Sequence, residues 1–187
     1  QPYFEEIENI VKYDITVGIS DDLFLEKILN INDNIKVHIE IETGMNRTGV
    51  KLENLKKYID KIKQKSNIIV EGCYTHLSSA DFDEDYTNMQ LKTFREAVKI
   101  VTDNFDTIKY IHSSASNGLI NYNDNVSNTV RPGIIMYGYE PFEGAKKKID
   151  VKPICKLKTK VTFIKDVGKN TSISYSRKFI TEGNMKI

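Results

Sequence analysis

The chain has 187 residues, 40% hydrophobic and 28% charged, which suits one ordinary domain or one domain with part of a second. Lys+Arg 27 against Asp+Glu 26 gives a net charge of +1, so nothing in the charge balance favours nucleic acid or an acidic membrane surface as partner. No apolar run approaches the length of a membrane span, and the N-terminal QPYFEEIENIV lacks the basic-then-apolar order of a signal peptide.

Pro2 to Lys12 places Phe4, Ile7, Ile10 and Val11 at helical spacing. Ile15 to Ile19 is short and β-branched, a strand. Ser20, before Asp21 and Asp22, reads as a helix cap whose acids suit the positive end of the helix dipole. Leu23, Leu25 and Ile28 then carry a helix to about Ile31. The most informative stretch follows, KVHIEIETGMNRTGV, from Lys36 to Val50. Val37, Ile39 and Ile41 point one way and His38, Glu40 and Glu42 the other, and a glycine-bearing turn then presents Arg47. Polar side chains near the C-terminal end of a strand mark a site.

Leu52 to Lys65 is an amphipathic helix built on Leu55, Ile59 and Ile62. Ile68 to Tyr74 is a strand followed by THLSSAD. A long helix runs from about Asp85 to Asn104, with Met89, Phe94, Val98 and Val101 expected to face inward. Ile108 to His112 is a strand with SSASNG as its exit loop, Ser116 to Tyr122 a short helix, and Val126 to Tyr139 contains the strand-like VRPGIIMYGY. Cys73 and Cys155 both lie in apolar runs and read as buried thiols of a reducing compartment; they form no CxxC pair and have no metal-ligand spacing, so no metal is expected.

Strand and helix therefore alternate, which argues for parallel strands joined by crossover helices. The polar clusters, Thr43–Arg47, Thr75–Asp81, His112–Gly118 and Arg131–Gly133, fall at or just after strand ends. Barrel enzymes build their sites from such positions, and a doubly wound sheet places ligands at one crevice there. Four clusters from successive strands fit a ring better. The pattern changes near Gly138: GYEPFEGAKKKIDVKP reads as a linker, Ile154 to Val167 alternates like an antiparallel strand, Gly168–Asn170 is a turn, and Thr171 to Phe179 is another strand. The expected division is residues 1–140, a barrel-like α/β region, and 141–187, a linker with the first strands of a β domain.

IEIETGMNRTGV, EGCYTHLSSAD, IHSSASNG, VRPGIIMYGY and TSISYSRKF, in this order, resemble the alanine racemases. That resemblance implies a partial (β/α)8 barrel followed by the start of a C-terminal β domain. It also implies pyridoxal 5'-phosphate as cofactor and interconversion of L- and D-alanine by a two-base mechanism. The implied setting is a cytoplasmic homodimer that supplies D-alanine for peptidoglycan, with no nucleic acid and no membrane in this segment.

By the same resemblance, Arg131 matches the arginine on the cofactor's pyridine nitrogen, and His76 the histidine that supports it. Ser116 matches the phosphate-binding serine, joined by the Gly133 and Ile134 backbone N–H groups. Arg47 matches the arginine near the cofactor's phenolic oxygen and the substrate carboxylate. Tyr175 matches one of two opposed catalytic bases, reaching the other subunit's site. The sequence departs from the pattern in three places. Ala115 stands where many relatives have asparagine. Glu40 stands where many have a lysine, often carbamylated, and is expected to support Arg47 by pairing with it, directly or through water. No lysine here matches the family's cofactor lysine, so the sequence reads as an internal portion of a longer enzyme, inactive alone. A serine racemase of the vancomycin-resistance type, a cofactor-binding protein without turnover and an inert fragment are the alternatives.

Overall fold

The computed structural model describes residues 2–145 and 149–187; the lysines expected in the linker at 146–148 lie outside it, as does the side chain of Phe4. The chain divides between Ile154 and Cys155 into two units.

In the first unit a 3-10 turn, Phe4–Glu6, leads into α1 (Ile7–Lys12). The elements that follow are β1 (Val17–Ile19), α2 (Asp22–Leu29), β2 (Ile35–Glu42), β3 (Val50–Lys51), α3 (Leu52–Ile62), β4 (Ile68–Tyr74), α4 (Glu84–Thr102), β5 (Tyr110–His112) and α5 (Ser116–Asn121). The sheet runs β1-β2-β4-β5 with β3 beside β2, and every pairing is parallel. Parallel neighbours need a crossover, and α2, α3 and α4 supply one each.

One sheet face is aliphatic. Ile19, Val37, Ile39, Ile41, Val70 and Cys73 share a single buried core with Phe24 and Ile28 of α2, Leu55 and Ile59 of α3, and Phe94 and Val101 of α4. Burial pushes the Cys73 thiol up to about 12. The other face is polar: His38 lies opposite Gly72 and Glu40 opposite Tyr74. The register jumps there from Val37↔Val70 to His38↔Gly72, leaving Glu71 as the extra residue of a β-bulge. Burial raises the pKa of Glu71, but hydrogen bonds from Lys109 (3.1 Å) and Thr16 (3.0 Å) outweigh it and hold the carboxyl below its ordinary value.

Several local expectations need correction. The cap of α2 is Asp21, whose Oδ1 accepts the Phe24 N–H at 2.8 Å. Ser20 is buried at the β1 exit, where its carbonyl accepts the Gly49 N–H. Leu23 is 71% exposed, and α2 buries Phe24 instead. Met89 faces outward; the inner stripe of α4 runs through Thr87, Gln90, Leu91 and Phe94, one position out of phase with it. The segment from Val126 to Tyr139 makes no strand. It bonds to β5 and its exit loop through Asn128 and Thr129 N–H to Ile111 O and Arg131 N–H to Ser114 O. Pro132 then offers no N–H to extend a ladder, and a 3-10 turn, Ile134–Tyr137, takes over.

In the second unit, β6 (Asp166–Val167) pairs antiparallel with β9 (Met185–Lys186), and β7 (Ser172–Ile173) with β8 (Phe179–Ile180). Of the alternating Ile154–Val167 stretch, only its end, Asp166–Val167, is a paired strand. Alternation assigns two faces, but a strand needs a partner for its backbone groups, and among the described residues none pairs with 155–164. Leu157, Val161 and Phe163 are exposed, and so is Cys155, contrary to the buried thiol expected there. A 3-10 turn, Tyr175–Arg177, interrupts the strand expected over Thr171–Phe179. No helix among the described residues is long and apolar enough to cross a membrane.

Candidate active site

The exits of β4 and β5 converge on Arg131. Its backbone N–H is held by Ser114 O at 2.9 Å. Its Nη2 donates to Thr75 O at 2.7 Å and lies 3.4 Å from His76 Nδ1. Its Nη1 donates to His112 O at 3.0 Å and makes a short contact with His112 Nδ1. The guanidinium also lies 5.4 Å over the Tyr74 ring, a cation–π distance. No carboxylate ion-pairs with it among the described residues. Carbonyls and imidazoles therefore hold the cation. Burial lowers its proton affinity, while Tyr74 and Glu40 act the other way, and a guanidinium keeps its proton across the physiological range.

The resemblance assigns support of Arg131 to His76 alone. The structure adds His112, which makes the shorter contact and stacks on Tyr74 (ring centroids 5.0 Å apart, 9° between planes). Burial first, then the Arg131 charge and His38, push the His112 pKa down to about 3, so the ring is neutral. Burial first and then Arg131 and Arg47 lower that of His76. The signal for His112 was present in the sequence as a histidine closing a strand ahead of a small-residue loop. Three histidines in one chain gave no way to choose between them.

Ser116 starts α5 and is buried. Its Oγ accepts the Gly133 N–H at 2.9 Å, which joins two sequence-predicted residues across 17 positions. Ala115, at the cap of α5, has no side-chain acceptor, so the first-turn N–H groups are not consumed by a cap. His76, Ser116, Asn117, Arg131, Gly133 and Ile134 line one cavity of about 280 Å³. One end carries a cation, the other a hydroxyl with main-chain N–H groups.

The β2 exit is shaped by a tight turn. Gly44 sits at φ +141°, and a Cβ there would lie 2.6 Å from the Tyr86 hydroxyl, which donates to Gly44 O at 2.8 Å. Glu42 caps the turn by accepting the Gly44 N–H. Glu40 does not ion-pair with Arg47. Its Oε1 accepts from Thr48 Oγ1 at 2.8 Å and its Oε2 from the Tyr74 hydroxyl at 3.2 Å, so both oxygens are already engaged. Tyr74 thus bridges Glu40 to the underside of Arg131.

Sequence reasoning also missed Gln90. It is fully buried on α4, and its Nε2 donates to Thr43 Oγ1 (3.1 Å) and His76 O (3.2 Å) while Oε1 accepts the Ser78 N–H (2.9 Å). Thr43 and Thr75 hydroxyls meet at 2.7 Å beside it. A polar residue on the inner helix stripe was its only trace. Tyr175 belongs to the second unit and is 94% exposed there. Around it Ser174, Ser176 and Arg177 adopt φ of 56°, 60° and 52°. Non-glycine residues in the left-handed region carry strain that concentrates at functional loops.

Parallel strands wound by helices, with a cation and a hydroxyl–amide cradle in one cavity at the strand exits, define a ligand-binding domain of the α/β barrel class. The family profile described as "Alanine racemase, N-terminal domain" matches residues 2–141. The alanine racemase of Methanococcus maripaludis is 38% identical over 190 residues, covering 98% of this chain and 51% of its own. That of Treponema denticola is 31% identical, covering 97% and 50%. Among solved structures, alanine racemase from Clostridium difficile 630 superposes with a TM-score of 0.88 at 29% identity, over 100% of this chain and 50% of that one. The alanine racemase from E.faecalis gives 0.86 at 25% identity, over 100% of this chain and 52% of that one. The chain belongs to the alanine racemase family, and its first unit is part of a (β/α)8-type barrel. It spans about half the length of the curated relatives it matches.

Proposed function

We propose that the protein is a pyridoxal-phosphate-dependent racemase that interconverts L- and D-alanine, supplying D-alanine for the cell wall from the cytoplasm. The observation that carries the reading is the single cavity lined at once by Arg131 and by Ser116, Gly133 and Ile134. Its donor set fits pyridoxal phosphate: the Ser116 hydroxyl and the Ile134 N–H suit the phosphate, with the Gly133 N–H, now given to Ser116 Oγ, able to turn to it, and Arg131 suits the pyridine nitrogen. Bound there, the cofactor would supply an electron sink for the substrate's α-carbon.

Arg131 sets how strong that sink becomes. It donates a hydrogen bond without surrendering a proton, so the acceptor nitrogen stays unprotonated and the sink weak, which favours return of the proton to the α-carbon. Arg47, on the β2 exit turn, is the cation for the substrate carboxylate. Tyr175 is one of the two groups that move the α-proton, because inversion needs one on each face. We place it in the partner subunit's site, in a homodimer; its exposed position on a strained turn supports this. The cofactor lysine matches no residue of this sequence, and we place it outside these 187 residues, which makes the chain by itself inactive.

The test is incubation of the full-length protein with L-alanine and, separately, L-serine, with and without added pyridoxal phosphate, followed by chiral chromatography. D-alanine formation that depends on the cofactor is expected. Turnover of serine in preference to alanine, or no turnover of either, overturns the assignment.

A further inference from the structure

Behind His112, on the side away from Arg131, lies a second histidine that the proposed reaction does not use. His38 Nδ1 is 3.1 Å from His112 Nε2, and its own Nε2 is buried with no hydrogen-bond partner among the described residues. The His38 ring lies 5.2 Å from that of His112 and 5.6 Å from that of Tyr110. It faces Gly72 across the β2–β4 register, where a Cβ would come within 2.9 Å of His38 Nε2 and 2.3 Å of Tyr110 O. The bulge at Glu71 is what brings this glycine opposite the histidine.

We propose that His38 is a positioning residue that fixes the tautomer of His112 and, through it, the direction in which Arg131 presents its N–H groups. The inference deepens, and rests on, the reading of Arg131 as the donor to the cofactor ring. A guanidinium has five N–H donors and no acceptor. His112 Nδ1, in contact with Arg131 Nη1, must therefore carry the lone pair. In a neutral ring the proton then sits on Nε2 and points at His38 Nδ1. Two N–H groups cannot face each other at that distance, so His38 Nδ1 accepts and His38 carries its proton on Nε2. The chain of donors runs one way: Arg131 Nη1 donates to His112 Nδ1, and His112 Nε2 donates to His38 Nδ1.

The far end explains the geometry. The chain leaves His38 Nε2–H as a buried donor without an acceptor, an arrangement that costs stability. A phenylalanine would fill the same place without that cost. The histidine is accounted for by its Nδ1 lone pair, the one acceptor that holds His112 with its own lone pair toward Arg131. Without it, His112 is free to move its proton to Nδ1, where it would meet an Arg131 N–H and displace the guanidinium.

The test combines a spectroscopic reading with kinetics on the full-length protein. Long-range 1H–15N correlation of ring-labelled histidine should show His38 and His112 both neutral and protonated at Nε2, with Nδ1 in the acceptor range. In His38→Phe, His112 should lose this single-tautomer signature, and alanine turnover should fall about tenfold in kcat, the scale of one lost hydrogen bond, with KM little changed. His38→Asn, which restores a carbonyl acceptor, should recover much of both. A His112 protonated at Nδ1 in the wild type, or a His112 spectrum unchanged by His38→Phe, overturns the proposal. If the wild type fails to racemise, the function proposed above falls, whereas the tautomer reading still decides for or against His38.

Discussion

Gln90 Nε2 bonds Thr43 Oγ1 and His76 O at once, so one buried amide on α4 ties the exit of β2 to the exit of β4. The loops carrying Arg47 and His76 are held at a common depth by a helix that itself contributes nothing to the cavity. Every polar atom of that amide is satisfied, which makes the network stabilising as well as positioning.

Gln90→Leu leaves the Ser78 N–H without its acceptor and removes a donor from His76 O and Thr43. The expected loss is about 2–3 kcal/mol, read as a lower denaturant midpoint at unchanged slope. Gln90→Glu keeps an acceptor for Ser78 but sets an oxygen against the His76 carbonyl in a fully buried place, so it should lose at least as much. Equal midpoints for Leu and wild type would show the network to be idle.

Arg131→Glu replaces a buried cation, surrounded by the Thr75 and His112 carbonyls, with a group that those oxygens repel unless it is protonated. A carboxylic acid there can give up its proton to a ring nitrogen, where a guanidinium cannot. Racemisation should fall by at least about 10²-fold, and conversion of alanine to pyruvate should become detectable. An unchanged ratio of pyruvate to D-alanine would remove Arg131 from the pyridine site.

The histidines make stability pH-dependent. His112 titrates at about 3 in the folded protein against 6.5 as an ordinary histidine. Between those values the unfolded chain binds more protons, so stability rises with pH. The contribution is complete above about pH 6.5 and is lost as the pH falls toward 3, at about 1.4 kcal/mol per pH unit for one group. His38 and His76 are also lowered, each by burial foremost, and act in the same direction. Unfolding free energy measured from pH 7 to pH 4.5 should fall, and His112→Gln should flatten the slope. A slope identical in the variant would contradict the assignment.

Glu40→Gln keeps one acceptor for Thr48 or Tyr74 but turns its amide N–H₂ toward the other hydroxyl. The expected cost is about 1 kcal/mol, with a raised KM for alanine because Tyr74 loosens under Arg131. The native carboxylate needs no carbamate to supply its charge, so bicarbonate should leave the activity of both wild type and variant unchanged. Stimulation of the wild type by bicarbonate would count against this role of Glu40.

The alternation of strands and helices, the parallel pairing and the aliphatic face made by Val37, Ile39 and Ile41 were all legible in the sequence. They depend on local periodicity and on the rule that parallel strands need crossovers. The loop after β5 that carries Ser116 was legible as well, whereas Arg131 and Gly133 lie in a segment that was expected to be a strand and is not one. The tertiary structure decided the rest. Glu40 was expected to pair with Arg47, directly or through water; no direct ion pair forms among the described residues, and Tyr74 from β4 and Thr48 hold its two oxygens. His112 and Gln90 acquire their roles only across elements, from Arg131 at 19 positions away and Thr43 at 47. Cys155 and residues 155–164 carry the pattern of a buried strand but find no ladder partner among the described residues. A side chain's periodicity states which face it belongs to. Which donor meets which acceptor is set by distances between segments far apart in the chain, and those exist only once the chain has folded.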